Sequence, residues 1–189
     1  MAVALRLGSS ACVAHTCRCE ALVDAQGIHG SVCKQAPSKI ARHQAINDAI
    51  ARAITAAGVP VTKEPVGLVR IDGKRPDGLT LIPWQGGKPL TWDVTVVSTL
   101  ADSYLHSTSH SAGSAAETAS VRKESKYSSL PPEYLFQPVG IETLGPLNAS
   151  AVNFLSEVGR RLTSFREIHA RPRFCSSASQ CLYSASTLL

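Results

Sequence analysis

The clearest periodic stretch of the chain is SKIARHQAINDAIARAITAAGVP, where Ile40, Ile46, Ile50 and Ile54 recur near helical spacing while Arg42, Asn47, Asp48 and Arg52 occupy other faces. Ser38 is placed to cap this helix, and Gly58 followed by Pro60 to end it. Strand-like runs follow at 59–68, 78–84 and 90–97, separated by the turn signals IDGKRPDG and QGGKP. In the third run, alternation sets Trp92, Val94 and Val96 on one face and Thr91, Asp93, Thr95 and Val97 on the other. The segment SYLHSTSHSAG reads as a loop that becomes helical near Ala112, with Ala112, Ala116, Ala119, Lys123 and Lys126 along one face. After the breaker LPPE, YLFQPVGIETLG reads as a strand interrupted by Pro138, and NASAVNFLSEVGRRLTS as a helix capped by Asn148 or Ser150. The order helix, three strands, helix, strand, helix predicts an α/β fold with a mixed sheet flanked by helices.

At 189 residues, with 44% hydrophobic residues and a mean hydropathy of +0.03, the chain has the apolar content for one ordinary core and a small satellite module. Residues 38–163 supply the core, and residues 1–37 form a Cys/His/Gly-rich segment closing in KQAPS. Residues 164–189 lose the helical pattern after GRRLTS and are expected to be a disordered tail. The formal net charge of +5 and pI near 9.0 suit a polyanionic partner. No apolar run approaches the roughly 18–20 residues of a membrane span. The start MAVALRLGSSACVA is broken by Arg6 and Gly8, unlike a signal peptide. A nuclear or cytoplasmic, reducing location without a membrane partner is the expectation.

Candidate chemistry changes this picture at two places. Asp77 precedes the second strand run, Asp93 lies on the polar face of the third, and Glu64 lies on the first. A hairpin connection brings these strands side by side, and carboxylates meeting there would repel unless a divalent cation, Mg²⁺ or Mn²⁺, joined them. Such a site can hydrolyse a phosphodiester, with Lys126 as the cation near the attacking water and Lys123 as second choice. Taken singly, Asp77 reads better as a turn acid in PDG, and Asp93 as a partner for a surface Lys or Arg. The combination in this element order favours the shared site.

The second place is the cysteine cluster. Cys17, Cys19, His29 and Cys33 give C-x-C, nine residues, then H-x3-C, a ligand set for tetrahedral Zn²⁺. Cys12, His15 and His43 are alternative ligands, and free thiols in a loose terminus the structural alternative. Arg18, Lys34, Lys39, Arg42 and Arg52 could grip nucleic acid beside it. His106 and His110 lie in a Ser-rich segment without a nucleophile elbow, and GGK at 86–88 is a turn rather than a phosphate loop.

The motifs EP, KRPDG and WDVTV, in this element order, resemble the restriction-enzyme-like nuclease superfamily with its PD and D/E-x-K motif. HGSVC, RHQAIND, EPVGL, DGKRPDGLTLIPW, WDVTVV, KY and IETLG are more closely similar to the C-terminal region of reverse-transcriptase polyproteins of animal non-LTR retrotransposons, over about residues 5–163. The resemblance implies a Cys/His module ahead of a restriction-like endonuclease domain that nicks DNA to prime reverse transcription. Its partners would be DNA, element RNA and the reverse-transcriptase region of a longer polyprotein. Asp77 matches the PD acid, Asp93 the second acid and Glu64 an upstream acid. The superfamily lysine falls at Thr95, and Lys126 in SKY takes the place of the lysine supplied by the following helix. Thr95 also leaves room for a second reading, a catalytically inactive, zinc-containing nucleic-acid-binding remnant, and for a third, a translated remnant without a role. The tail admits a neighbouring frame resembling the family's continuation, as a frameshifted copy of the element would.

Overall fold

The computed structural model describes residues 2–33 and 35–170. A short helix α1 (Ala2–Arg6), a hairpin of β1 (His15–Thr16) and β2 (Leu22–Val23), and a one-turn helix α2 (His29–Val32) precede the long helix α3 (Pro37–Ala56). Then come β3 (Val61–Lys63), β4 (Gly78–Thr80), β5 (Leu90–Val97), α4 (Asp102–His110), α5 (Ser114–Lys126), β6 (Leu135–Glu142) and α6 (Ala149–Ala170). The main sheet runs β3-β4-β5-β6, antiparallel except for the parallel β5–β6 pair. The expected mixed sheet flanked by helices is present.

The alternation along β5 sorts the layers. Leu90, Trp92 and Val94 bury against Ile50 and Ile54 of α3 and Phe154 and Val158 of α6. Thr91 and Asp93 point to the opposite face, which α5 covers. There Gly140 lets α5 approach so closely that a Cβ would stand 2.6 Å from the Ala116 carbonyl oxygen.

Several elements differ from the sequence reading for identifiable reasons. The first strand stops at Lys63 rather than reaching 68, because Glu64 turns to φ +50°, Pro65 has no N–H to donate and a 3₁₀ turn, Val66–Leu68, follows. The second stops at Thr80, whose hydroxyl accepts from Leu90 N and donates to the Ile82 carbonyl, ending the ladder. Residues 102–110 form helix α4 rather than a loop. Ser107 Oγ donates to the Tyr104 carbonyl at 2.9 Å within the helix, and Thr108 Oγ1 lies 2.8 Å from the Thr99 carbonyl ahead of it and 3.1 Å from that of Tyr104.

Pro138 does not interrupt β6. Gly140 N donates to Asn148 Oδ1 and Glu142 N to the Pro146 carbonyl, so even-numbered residues point off the open edge and Pro138 forfeits no ladder bond. Ser38 is not the cap of α3; Ala36 holds that position without a side-chain bond. Asn148 is buried and spends its amide on Gly140, Ser120 and Ser150, while Glu117 Oε1 takes the first amide of α6, Ala149 N. Helix α6 runs on to Ala170, past the expected end of regular structure at 163, because Phe165 packs over the αL turn at Gly58, where a Cβ would meet its ring at 2.4 Å. The expectations for Lys34 and for residues 171–189 lie outside the described residues.

Candidate functional site

Antiparallel register sets Gly78 opposite Trp92 and lets Asp77 N donate to the Trp92 carbonyl at 2.9 Å, so Asp77 and Asp93 stand across from one another on neighbouring strands. Asp77 Oδ2 accepts from Val94 N at 2.6 Å and lies 3.1 Å from His43 Nε2 of α3. Asp93, only 3% exposed, accepts from Lys123 Nζ on one oxygen and from the Tyr127 hydroxyl on the other, at 2.6 Å. Lys126 Nζ is 3.9 Å from that second oxygen and donates to the Tyr127 hydroxyl at 2.9 Å. His43, Asp77, Asp93, Lys123 and Lys126 line one cavity of about 410 Å³, whose wall also includes Glu64, Lys74 and Arg75.

Glu142 fixes the helix that delivers the lysines. Buried at the end of β6, it accepts from the first amides of α5, Ala115 N at 3.0 Å and Ala116 N at 3.5 Å, where a negative charge is favoured. The sequence reading missed Glu142, Tyr127 and the cavity role of His43. The acid at a strand end and the Tyr directly after Lys126 were the available signals.

The sequence preference for Lys126 over Lys123 is reversed in the contacts, since Lys123 is the one paired directly with Asp93. Glu64 reaches the cavity wall but turns its carboxylate to Arg75. The expected convergence of three carboxylates is therefore absent: among the described residues Glu64, Asp77 and Asp93 do not form a three-ligand group at single-ion spacing.

Electrostatics follow from these contacts. The Asp77 hydrogen bond raises His43 above its ordinary pKa against the opposing cost of burial, with further help from Asp93. Burial lowers Lys126 below the usual lysine range, and burial with the Asp93 bond pushes Tyr127 upward, so the phenol keeps its proton and donates it to the carboxylate. His43 should thus stabilise the fold fully below about pH 6.5, its unfolded value. That contribution should fade as pH rises through its higher folded pKa. Urea midpoints of wild type and His43→Gln should differ at pH 6 and converge by pH 9; a constant gap would assign His43 a packing role only.

The cysteine cluster is a second, separate site. Cys17 Sγ lies 3.8 Å from Cys33 Sγ, Cys19 Sγ 3.6 Å from Cys33 Sγ, and Cys19 Sγ 3.1 Å from His29 Nε2. All four ligand atoms lie within 4.8 Å of one another. Bonds of about 2.3 Å to sulfur and 2.0 Å to nitrogen imply tetrahedral edges of roughly 3.5–3.8 Å, so the set can hold an ion such as zinc.

Local structure creates this geometry. Glu20, at φ +69°, closes the turn that carries Cys17 and Cys19, and the helical bond from Cys33 N to the His29 carbonyl aligns the other pair. The Cys19 backbone N–H leads a set of hydrogen bonds that draws the Cys17 thiol down to about 6 against burial. None of the alternative ligands joins: Cys12 donates to the Asp24 carbonyl, His15 pairs with the Val13 carbonyl and His43 faces Asp77.

Of the basic residues singled out in the sequence, Lys39 and Arg42 lie in the first turns of α3, and Arg52 lines a separate groove with Asp48 and Lys63. Among the described residues, no helix is long and apolar enough to cross a membrane. No family model and no curated protein matches the chain.

Proposed function

We propose that this chain carries a divalent-metal-dependent DNA endonuclease domain of the retrotransposon type, nicking target DNA so that its 3′ hydroxyl primes reverse transcription. Element RNA and a reverse-transcriptase region of a longer polyprotein are the partners that go with this reading. The observation that carries it is the opening of Asp77, Asp93, Lys123 and Lys126, from two neighbouring strands and one helix, onto a single cavity. Two carboxylates are a sufficient protein share for Mg²⁺ or Mn²⁺, which take their remaining ligands from water and substrate phosphate. Asp77 and Asp93 would hold the ion, which lowers the pKa of water and offsets charge on the phosphate.

The chain's own groups do the positioning. His43 and Val94 N hold Asp77, and Tyr127 holds Asp93. Lys123 would leave Asp93 for the phosphate when substrate arrives, and Lys126, with its lowered pKa, is suited to trade a proton with water at the cavity. Zinc at Cys17, Cys19, His29 and Cys33 would order the N-terminal module beside Lys39 and Arg42 as a nucleic-acid grip.

Nicking of supercoiled plasmid with Mg²⁺ or Mn²⁺ tests the proposal. Asp77→Ala and Asp93→Ala should each lower the rate about 100-fold or more. Equal cleavage by wild type and both variants would reject the site. A specific observation favours the second reading, an inactive nucleic-acid-binding remnant: both oxygens of Asp93 are already engaged by Lys123 and Tyr127. DNA binding without cleavage would select it.

A further inference from the structure

The connection between β3 and β4, residues 64–77, carries an apolar tip that stands in solvent. Ile71 is 110% exposed and Val66 79% exposed. Removing such side chains from water is favourable, so an uncovered Ile71 at the tip of a shaped loop asks for an occupant.

The loop is built rather than loose. Pro65, Leu68 and Pro76 are buried at its base. Its tip closes through bonds from Gly73 N to the Arg70 carbonyl at 2.9 Å and from Arg70 N to the Lys74 carbonyl at 2.8 Å, with Gly73 at φ +72°. Arg70 lies 5.6 Å over the ring of Tyr127, whose hydroxyl is 2.8 Å from the Arg75 carbonyl oxygen. The tyrosine that holds Asp93 therefore also anchors the loop.

Charge identifies the occupant. The acids of the loop are already paired, Asp72 with Arg70, Glu64 with Arg75 and Asp77 with His43. Lys74 has no carboxylate partner among the described residues, and with Arg75 it passes directly into the cavity wall beside Lys123 and Lys126. An apolar tip flanked by cations that lead into a site fits a duplex entered by a side chain at one base step.

We propose that residues 64–77 form a wedge for double-stranded DNA, with Ile71 entering between base pairs and Lys74 and Arg75 on the flanking phosphates. The direction of the strand into the cavity rests on the endonuclease reading; the wedge itself does not. Because unstacking costs least where pairing is already broken, the wild-type chain should prefer a duplex with one central mismatch over its matched counterpart.

The test measures binding of the full chain by fluorescence anisotropy to matched and mismatched short duplexes, with 2-aminopurine beside the mismatch reporting unstacking. Wild type should raise the 2-aminopurine signal. Ile71→Ser, a change at a solvent position that leaves the core untouched, should abolish the rise and weaken mismatch binding by roughly tenfold or more, the burial of one isoleucine. It should leave the salt dependence unchanged, whereas Lys74→Ala should reduce the salt slope by about one phosphate.

Equal binding and equal 2-aminopurine response by wild type and Ile71→Ser would overturn the wedge. So would Ile71-dependent binding confined to anionic lipid vesicles or to RNA. Ile71-dependent unstacking without nicking would sink the endonuclease reading and keep the wedge. Nicking with no Ile71 dependence in binding would do the reverse.

Discussion

With zinc loaded onto the Cys17, Cys19, His29 and Cys33 set, its chelation by EDTA, or Cys33→Ser, is expected to unfold the segment ahead of α3 while the sheet domain stays folded. The segment has little else to hold it. Its strands are two residues long, its helix α2 is a single turn, and among the described residues its buried apolar side chains are Val23 and Cys33. A unit of this size falls below the range in which apolar burial alone suffices. Binding of zinc to such ligand sets is worth on the order of 10 kcal/mol, which would then supply the folding free energy of the module.

Hydrogen exchange gives the readout residue by residue. The amides of Cys17, Glu20 and Cys33, bonded to the carbonyls of Ala21, Cys17 and His29, should lose protection on chelation. Those of Val94 and Gly140, in the sheet, should keep it. Unchanged protection at the first three would mean that no metal orders the module.

The second large effect is expected at Trp92. Its ring is 0% exposed and fills the space over Gly78, where a Cβ would lie 2.0 Å from it, and its indole Nε1–H donates to Asn47 Oδ1 at 2.8 Å. Trp92→Ala removes the ring from beneath β4 and leaves Asn47 without its donor, for a loss of about 3–5 kcal/mol in urea unfolding. Trp92→Phe retains much of the volume and should cost less. A loss under about 1 kcal/mol for Trp92→Ala would show that α3 and β4 close over the gap, contrary to the packing described.

The reach of sequence reading can be seen residue by residue. Helix α3 and strand β5 were legible because Ile46, Ile50 and Ile54, and Leu90, Trp92 and Val94, carry their burial in their spacing. The cysteine ligands were legible for the same reason, since metal geometry constrains spacing directly. Helix α4 was hidden because its Ser and Thr residues carry weak helix propensity, and only their bonds to preceding carbonyls reveal how the helix accommodates them.

Lys123 and Lys126 lie three apart on one face of α5, so periodicity could place both toward the sheet but not choose between them. Tyr127 and His43 depend on partners far along the chain, Asp93 and Asp77, whose positions exist only once the strands have paired. The turned carboxylate of Glu64 likewise follows from a backbone φ that no residue pattern announces.

His43 and Asn47 sit one turn apart on α3, and each meets the start of β4, His43 at the Asp77 carboxylate and Asn47 at the Asp77 carbonyl and the Trp92 indole. A shift of the helix by one residue would rotate both by about 100° and break all three contacts together. The helix is thereby indexed to the sheet like a key with two teeth. Because Cys33 lies just ahead of its first turn, that indexing also sets the distance between the cysteine cluster and the cavity, two centres with no ligand in common.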